Sequence, residues 1–225
     1  MLLFGILSIL LAVTSAEECY SEMYSACQAN SKTSVLDESV KDKCNATYGS
    51  IDGLLVDLQG YANVNIDSSF EFLLLSSYFG NYENQREGFK KLYRKYSDQM
   101  WEDAINLIKF ITKRGGTMDF HKFSQFKTPI AEARIIELNE IESLAKALDI
   151  QKQIANEALR IHSRAQLHTK HDASVAHYVE ERFLESQAER IRDLAGYITD
   201  LKHLLAEHDP TLCLFLFDEY LQKSL

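Results

Sequence analysis

SSYFGNYENQREGFKKLYRKYSDQMWEDAINLIKFITKRGG, residues 76–116, contains the end of one long amphipathic helix and nearly the whole of a second. In the second, Phe89, Leu92, Tyr93, Tyr96, Met100, Ile105, Leu107, Ile108 and Ile111 recur mostly at steps of three and four. That spacing puts them on one face of a helix running from about residue 84 to 113. Arg114-Gly115-Gly116 follows, and glycine supplies the left-handed backbone that closes a helix C-terminus. Gly80-Asn81 marks a short turn, which predicts that the two helices are antiparallel neighbours. Working back, the first helix spans about 50 to 79, with Leu54, Leu55, Leu58, Tyr61, Ala62, Ile66, Phe70 and Leu73 on its apolar face and small Ser77 after them.

Working forward, residues 117 to about 138 have weak periodicity and contain Pro129. The segment is too long for a tight turn and long enough to travel the length of a bundle, since a helix advances about 1.5 Å per residue. A third helix is predicted over about 139 to 167, with Asn139 as its cap and Ile141, Leu144, Ala145, Leu148, Ile154, Ala158, Leu159 and Ile161 on its apolar positions. His171-Asp172 reads as the next turn, and Ser174 as the cap of a fourth helix ending near His208. Residues 209–225 follow Asp209-Pro210 with the apolar run TLCLFLFDEYL, read as a short fifth helix buried between subunits. The prolines, Pro129 and Pro210, both fall between helices, as an all-α chain requires. The predicted architecture is a four-helix bundle (50–208) with a long crossover between the second and third helices and a short C-terminal helix (209–225).

The ends and the charge bear on location. Residues 1–16, MLLFGILSILLAVTSA, are apolar and uncharged and finish in small residues, which predicts a signal peptide cleaved before Glu17. No later run is long and apolar enough for a membrane span. The net charge of −9, without a basic stripe, argues against nucleic acid and anionic lipid as partners. It fits solubility or the attraction of cations. Cys19, Cys27 and Cys44 crowd an N-terminal extension (17–49), and Cys213 lies in the tail. A disulfide is expected among the first three; closing Cys27 to Cys44 would contribute about 3 kcal/mol by the loop-entropy model. Three is odd, so one thiol is expected to bridge to another subunit. Asn45-Ala46-Thr47 is a glycosylation sequon, which needs an exposed position.

Two helices, a long crossover, two more helices and a short fifth form an uncommon order. With the runs SSYF, LIKFITKRGG, LDIQKQIANEAL and LFDEYL, the chain resembles the ferritin family, specifically light-chain-type subunits of secreted insect ferritins. The resemblance covers about residues 51 to 221. It implies a hollow 24-subunit shell in the secretory pathway and outside the cell. Such a shell stores iron as ferric mineral, with a heavy-type partner subunit oxidising the iron.

The same resemblance locates the positions at which heavy-type chains hold two iron ions. They fall here on Asn65, Phe72, Met100, Asp103, Gln151 and Gln187. Iron prefers hard oxygen ligands and imidazole, and amides and a thioether cannot supply the charge two iron ions require. The implied subunit lacks a catalytic di-iron site. Read without the resemblance, Phe72 and Met100 are core filling, and Asp103 pairs with a cation or faces water, because a lone buried carboxylate is costly. Asp98 and Glu102, four apart on the second helix, match the cavity-wall carboxylates that seed mineral; individually each also reads as part of a solvated face. His177 and Glu180, with His162 nearby, match threefold-channel positions, although His162 also reads as a satisfied structural histidine. His168 and His171 form a two-ligand turn, weak evidence for a metal. A ferroxidase with unusual ligands and a helical carrier of a non-iron ligand are the alternatives.

Overall fold

The computed structural model describes Met23 and residues 45–121, 137–166, 171–207 and 209–225. Residues 1–16, read above as a leader, lie outside the described residues, as do Cys19, Cys27, Cys44, His168 and most of the crossover. The chain divides into two compact units, Met1–Ala46 and Thr47–Leu225, and the second carries the bundle. Its helices are α1 (Ile51–Phe79), α2 (Glu87–Lys113), α3 (Glu140–Gln166), α4 (Ala173–Val179), α5 (Glu185–Glu207) and α6 (Pro210–Ser224). A single π-helical turn, Glu180–Leu184, joins α4 to α5 as one long fourth helix.

α1 and α2 pack antiparallel, because contacts that step forward on one step back on the other. The hydroxyls of Ser69 and Ser97 are 3.5 Å apart, and Ser76 Oγ donates to the Lys90 carbonyl at 2.9 Å. Burial of Leu58, Tyr61, Phe72, Phe79, Phe89, Leu92, Tyr93 and Leu107 between these and the other helices makes the core. At the end of α2, Gly115 adopts φ 78°. The Gly116 and Gly115 amides donate to the Ile111 and Thr112 carbonyls, the paired bonds of a Schellman cap.

α2 and α3 run parallel. Arg86 pairs with Glu140 at 3.0 Å, Tyr93 donates to Ser143 at 2.7 Å, and Gln151 donates to Met100 at 3.7 Å. The end of α2 and the start of α3 therefore lie at opposite ends of the bundle, and their connection has to return the helix length, about 40 Å. Its described beginning heads back along α1: Gln59 Nε2 donates to the Thr117 carbonyl at 2.6 Å and Asn63 Nδ2 to that of Asp119 at 3.1 Å. The fourth helix runs antiparallel to α2, with Tyr178 stacked on Phe110 at 4.0 Å and Arg190 bound to Asp103.

Asn139 caps α3 as predicted, accepting from the Ile141 amide at 2.9 Å. The cap expected at Ser174 is instead Asp172, whose carboxylate accepts from the Val175 amide at 3.1 Å. The physical reason is long-range: Arg114 and the Ser50 amide already fix that carboxylate at the helix start. Phe70, Leu159 and Ile141, on the predicted apolar stripes, are exposed to 56%, 49% and 36%. They belong to faces that one chain alone leaves uncovered.

α6, the short C-terminal helix expected from the sequence, is half-buried against its own chain. Cys213, Phe217 and Leu221 turn inward, and the Phe217 ring lies 5.9 Å from that of Phe89. Arg86 offers α2 no side-chain cap, and Asp218 Oδ1 supplies one from the far end of the sequence, accepting from the Gly88 and Phe89 amides at 2.9 and 3.1 Å. Gly88 permits this approach, since a Cβ there would stand 2.1 Å from the Asp218 carbonyl oxygen. Leu212, Phe215, Leu216 and Tyr220 remain exposed on the opposite face. Among the described residues no helix is long and apolar enough to cross a membrane.

Candidate functional site

All four long helices send polar side chains into the middle of the bundle. Asn65 comes from α1, Met100 and Asp103 from α2, Gln151 from α3, and Gln187 and Arg190 from α5. Asn65, Met100, Gln151 and Gln187 are wholly buried. Asn65 Nδ2 donates to the Tyr61 carbonyl at 2.8 Å, and Gln151 Nε2 to Met100 Sδ at 3.7 Å. Asn65 Oδ1, Gln151 Oε1 and both amide atoms of Gln187 make no hydrogen bond within the protein. Each such buried atom costs about 1–3 kcal/mol of lost hydration, so the sequence keeps a polar centre where apolar packing would stabilise the fold more.

The only carboxylate in that set is already engaged. Asp103 Oδ2 accepts from Arg190 Nη2 at 2.8 Å, with side chains 16% and 9% exposed. Burial pushes the Asp103 carboxyl above the usual carboxylate range, and Arg190 pulls it back only in part. The fully buried Tyr61 hydroxyl is pushed far up by burial and then by Asp103, with Asn65 and Arg190 opposing. Tyr61 therefore stands in the same electrostatic neighbourhood. Phe72 is elsewhere in character: it packs 6.1 Å from Tyr93 and 5.7 Å from Tyr96 in an aromatic core. Neutral amides, a thioether and one carboxylate held by a guanidinium do not fit a pair of iron ions. Among the described residues no group of three or more His, Cys, Asp or Glu is placed to hold a metal ion.

The other candidates lie on surfaces. Asp98 pairs with Arg94 at 2.9 Å, both 58% exposed, so its charge is balanced locally. Glu102, one turn on, is exposed. His162 Nε2 reaches Glu180 Oε2 at 3.6 Å across from α3 to the π-helical turn. His177 does not join them; it faces Glu181 at 3.5 Å. Glu181 was not singled out in the sequence, although its place four residues after His177 is a legible signal. Asn45 and His171 are exposed.

Two ionic clusters are built on buried carboxylates. Arg114 grips Asp172 through both terminal nitrogens and donates to the Tyr48 carbonyl at 2.8 Å. Asp57, on α1, is bound by Arg160 at 2.9 Å and by Arg164, and Arg160 also holds Glu157. Only Glu157 and Arg160, three apart on α3, are marked by local spacing; the bonds of Arg114 to Asp172 and of Asp57 to Arg160 and Arg164 join residues far apart in sequence.

Residues 57–204 match the model of the ferritin-like domain. The chain is 41% identical to a ferritin light chain of Trichoplusia ni over 97% of its own length and 96% of that protein's. It is 40% identical to a ferritin light chain of Drosophila melanogaster, over 99% and 96% of the respective chains. The crystal structure of Trichoplusia ni secreted ferritin superposes with a TM-score of 0.81 at 39% identity, covering 92% of this chain and 99% of that one.

Proposed function

This chain belongs to the ferritin family, and from that premise we propose that it is a light-chain-type subunit of a secreted ferritin, storing iron as ferric mineral without oxidising it. The observation that carries this reading is the donor set of the buried centre. Asn65, Met100, Gln151 and Gln187 bring no charge, and Asp103 is bound to Arg190. A ferroxidase must gather several carboxylates and an imidazole around iron as its substrate, and these side chains cannot.

On this reading the subunit builds a 24-subunit shell with a heavy-type partner that performs the oxidation. The leader directs it into the secretory pathway and out of the cell, and one of Cys19, Cys27 and Cys44 bridges to a neighbouring subunit. The exposed apolar residues of α6, Leu212, Phe215, Leu216 and Tyr220, are the surface that other tails cover. Glu180, with His162 behind it and the His177–Glu181 pair alongside, draws hydrated cations toward the interior through charge. Of the two carboxylates read as mineral seeds, Glu102 is the stronger, because Arg94 neutralises Asp98.

The test is iron(II) oxidation, followed by oxygen uptake, in a preparation of this subunit alone. The expected rate is that of buffer, rising when a heavy-type subunit is co-assembled. Heavy-type rates from the homogeneous protein would refute the proposal.

A further inference from the structure

The buried centre contains more oxygen than its lack of catalysis explains. Asn65 Oδ1, Gln151 Oε1 and Gln187 Oε1 accept no hydrogen bond, and Asp103 adds a carboxylate. Amide and carboxylate oxygens are the donors that hard cations take. With these oxygens contributed by all four long helices, the centre is richer in cation donors than an apolar core. One group contradicts that: Arg190, one turn after Gln187, with its guanidinium buried and 2.8 Å from the Asp103 carboxylate.

We propose that Arg190 is the residue that refuses metal to this centre, its guanidinium serving as a permanent built-in cation. Guanidinium does not deprotonate in proteins, so the charge is present at every pH a secreted protein meets. It acts in two ways. It occupies the one anionic ligand, and its fixed positive charge repels a second cation in surroundings where burial weakens screening. Its other terminal nitrogen, Nη1, is buried and makes no hydrogen bond within the protein. Specificity here rests on a repulsive element as much as on absent ligands. Replacing ligands by amides lowers affinity for iron; a resident cation also excludes other hard ions that amide oxygens would accept.

The inference rests on the reading that this subunit does not oxidise iron, and its test is independent of oxidation. Terbium(III) is the probe, because its emission is sensitised by nearby tyrosine and Tyr61 lines the centre. Assembled wild-type shells, Arg190→Gln and the double variant Asp103→Asn/Arg190→Gln are titrated. Arg190→Met, which fills the same path without a hydrogen-bonding head, is carried alongside, with shell size and helicity measured for all. Arg190→Gln is expected to gain about one tyrosine-sensitised terbium site per subunit over wild type at micromolar metal, a gain abolished in the double variant. If correctly assembled Arg190→Gln and Arg190→Met bind no more terbium than wild type, Arg190 excludes nothing. The proposal fails equally if wild type already holds the ion and loses it in Asp103→Asn. Rapid iron oxidation by wild type would overturn the functional reading instead, so the two failures are distinguishable.

Discussion

Breaking the buried pair between Arg114 and Asp172 should be the most damaging single change outside the apolar core. The Asp172 carboxylate collects four donors: Arg114 Nη1 at 3.3 Å, Arg114 Nη2 at 2.8 Å, the Val175 amide at 3.1 Å and the Ser50 amide at 3.1 Å. It therefore caps the fourth helix, ties the entry to α1, and anchors the residue that ends α2. The two side chains are 4% and 3% exposed. Removing one partner of such a pair strands a buried charge, a loss of about 3–5 kcal/mol. Arg114→Met leaves Asp172 two backbone donors, which argues for the lower end, about 3 kcal/mol. A chain of this length shifts by about 2–4 °C per kcal/mol, so Tm should fall by ~6–12 °C. Asp172→Asn keeps the shape but strands Arg114, and should cost a similar amount. The double variant should lose at least about 1 kcal/mol less than the sum, because neither charge is then stranded. Burial pushes the Asp172 carboxyl up, but the Arg114 bond and the Val175 and Ser50 amides outweigh it, and its pKa lies below the usual value. Its stability is thus fully present above the unfolded value of about 3.9 and is lost as pH falls through the lower folded one. Urea unfolding by circular dichroism should show wild type weakening below about pH 4, and Asp172→Asn with a flatter acid slope. Single losses below about 1 kcal/mol, or a fully additive double variant, would refute the clamp.

Phe217→Ala should cost about 3–5 kcal/mol as a core truncation and release α6, seen as loss of the Phe217 contact with Phe89 and faster proteolysis of the tail. Asp218→Ala should cost about 1 kcal/mol as a lost cap, and faster hydrogen exchange at Gly88 and Phe89 would report it; unchanged protection there would contradict the capping role. On a non-reducing gel, the native complex should run as a disulfide-linked species that reduction separates, and Ser in place of each of Cys19, Cys27 and Cys44 should identify the bridging thiol.

Helix existence was legible in the sequence because apolar spacing is local, and α1 begins and ends within a residue of its expected bounds. α2 begins at Glu87 rather than near Asn84. Asn81 accepts from the Glu83 and Asn84 amides and Gln85 adopts φ 48°, so these residues are spent on the turn. The amides and thioether of the buried centre were legible only through the family resemblance. Arg190 was not legible at all. In AERIRDL it reads as one more solvated charge, and only Asp103, 87 positions away, draws it inside. Asp172 and Asp218 escaped for the same reason: hydrogen bonds between distant segments leave no mark on periodicity.

The carboxylate that seals the start of α2 belongs to α6, some 130 residues further along the chain. Synthesis runs from α2 to α6, so the nascent α2 waits with its first amides open until Asp218 has been made and has docked. Completion of the bundle is therefore coupled to the synthesis of α6, because the first turn of α2 has no other side-chain cap until that helix docks.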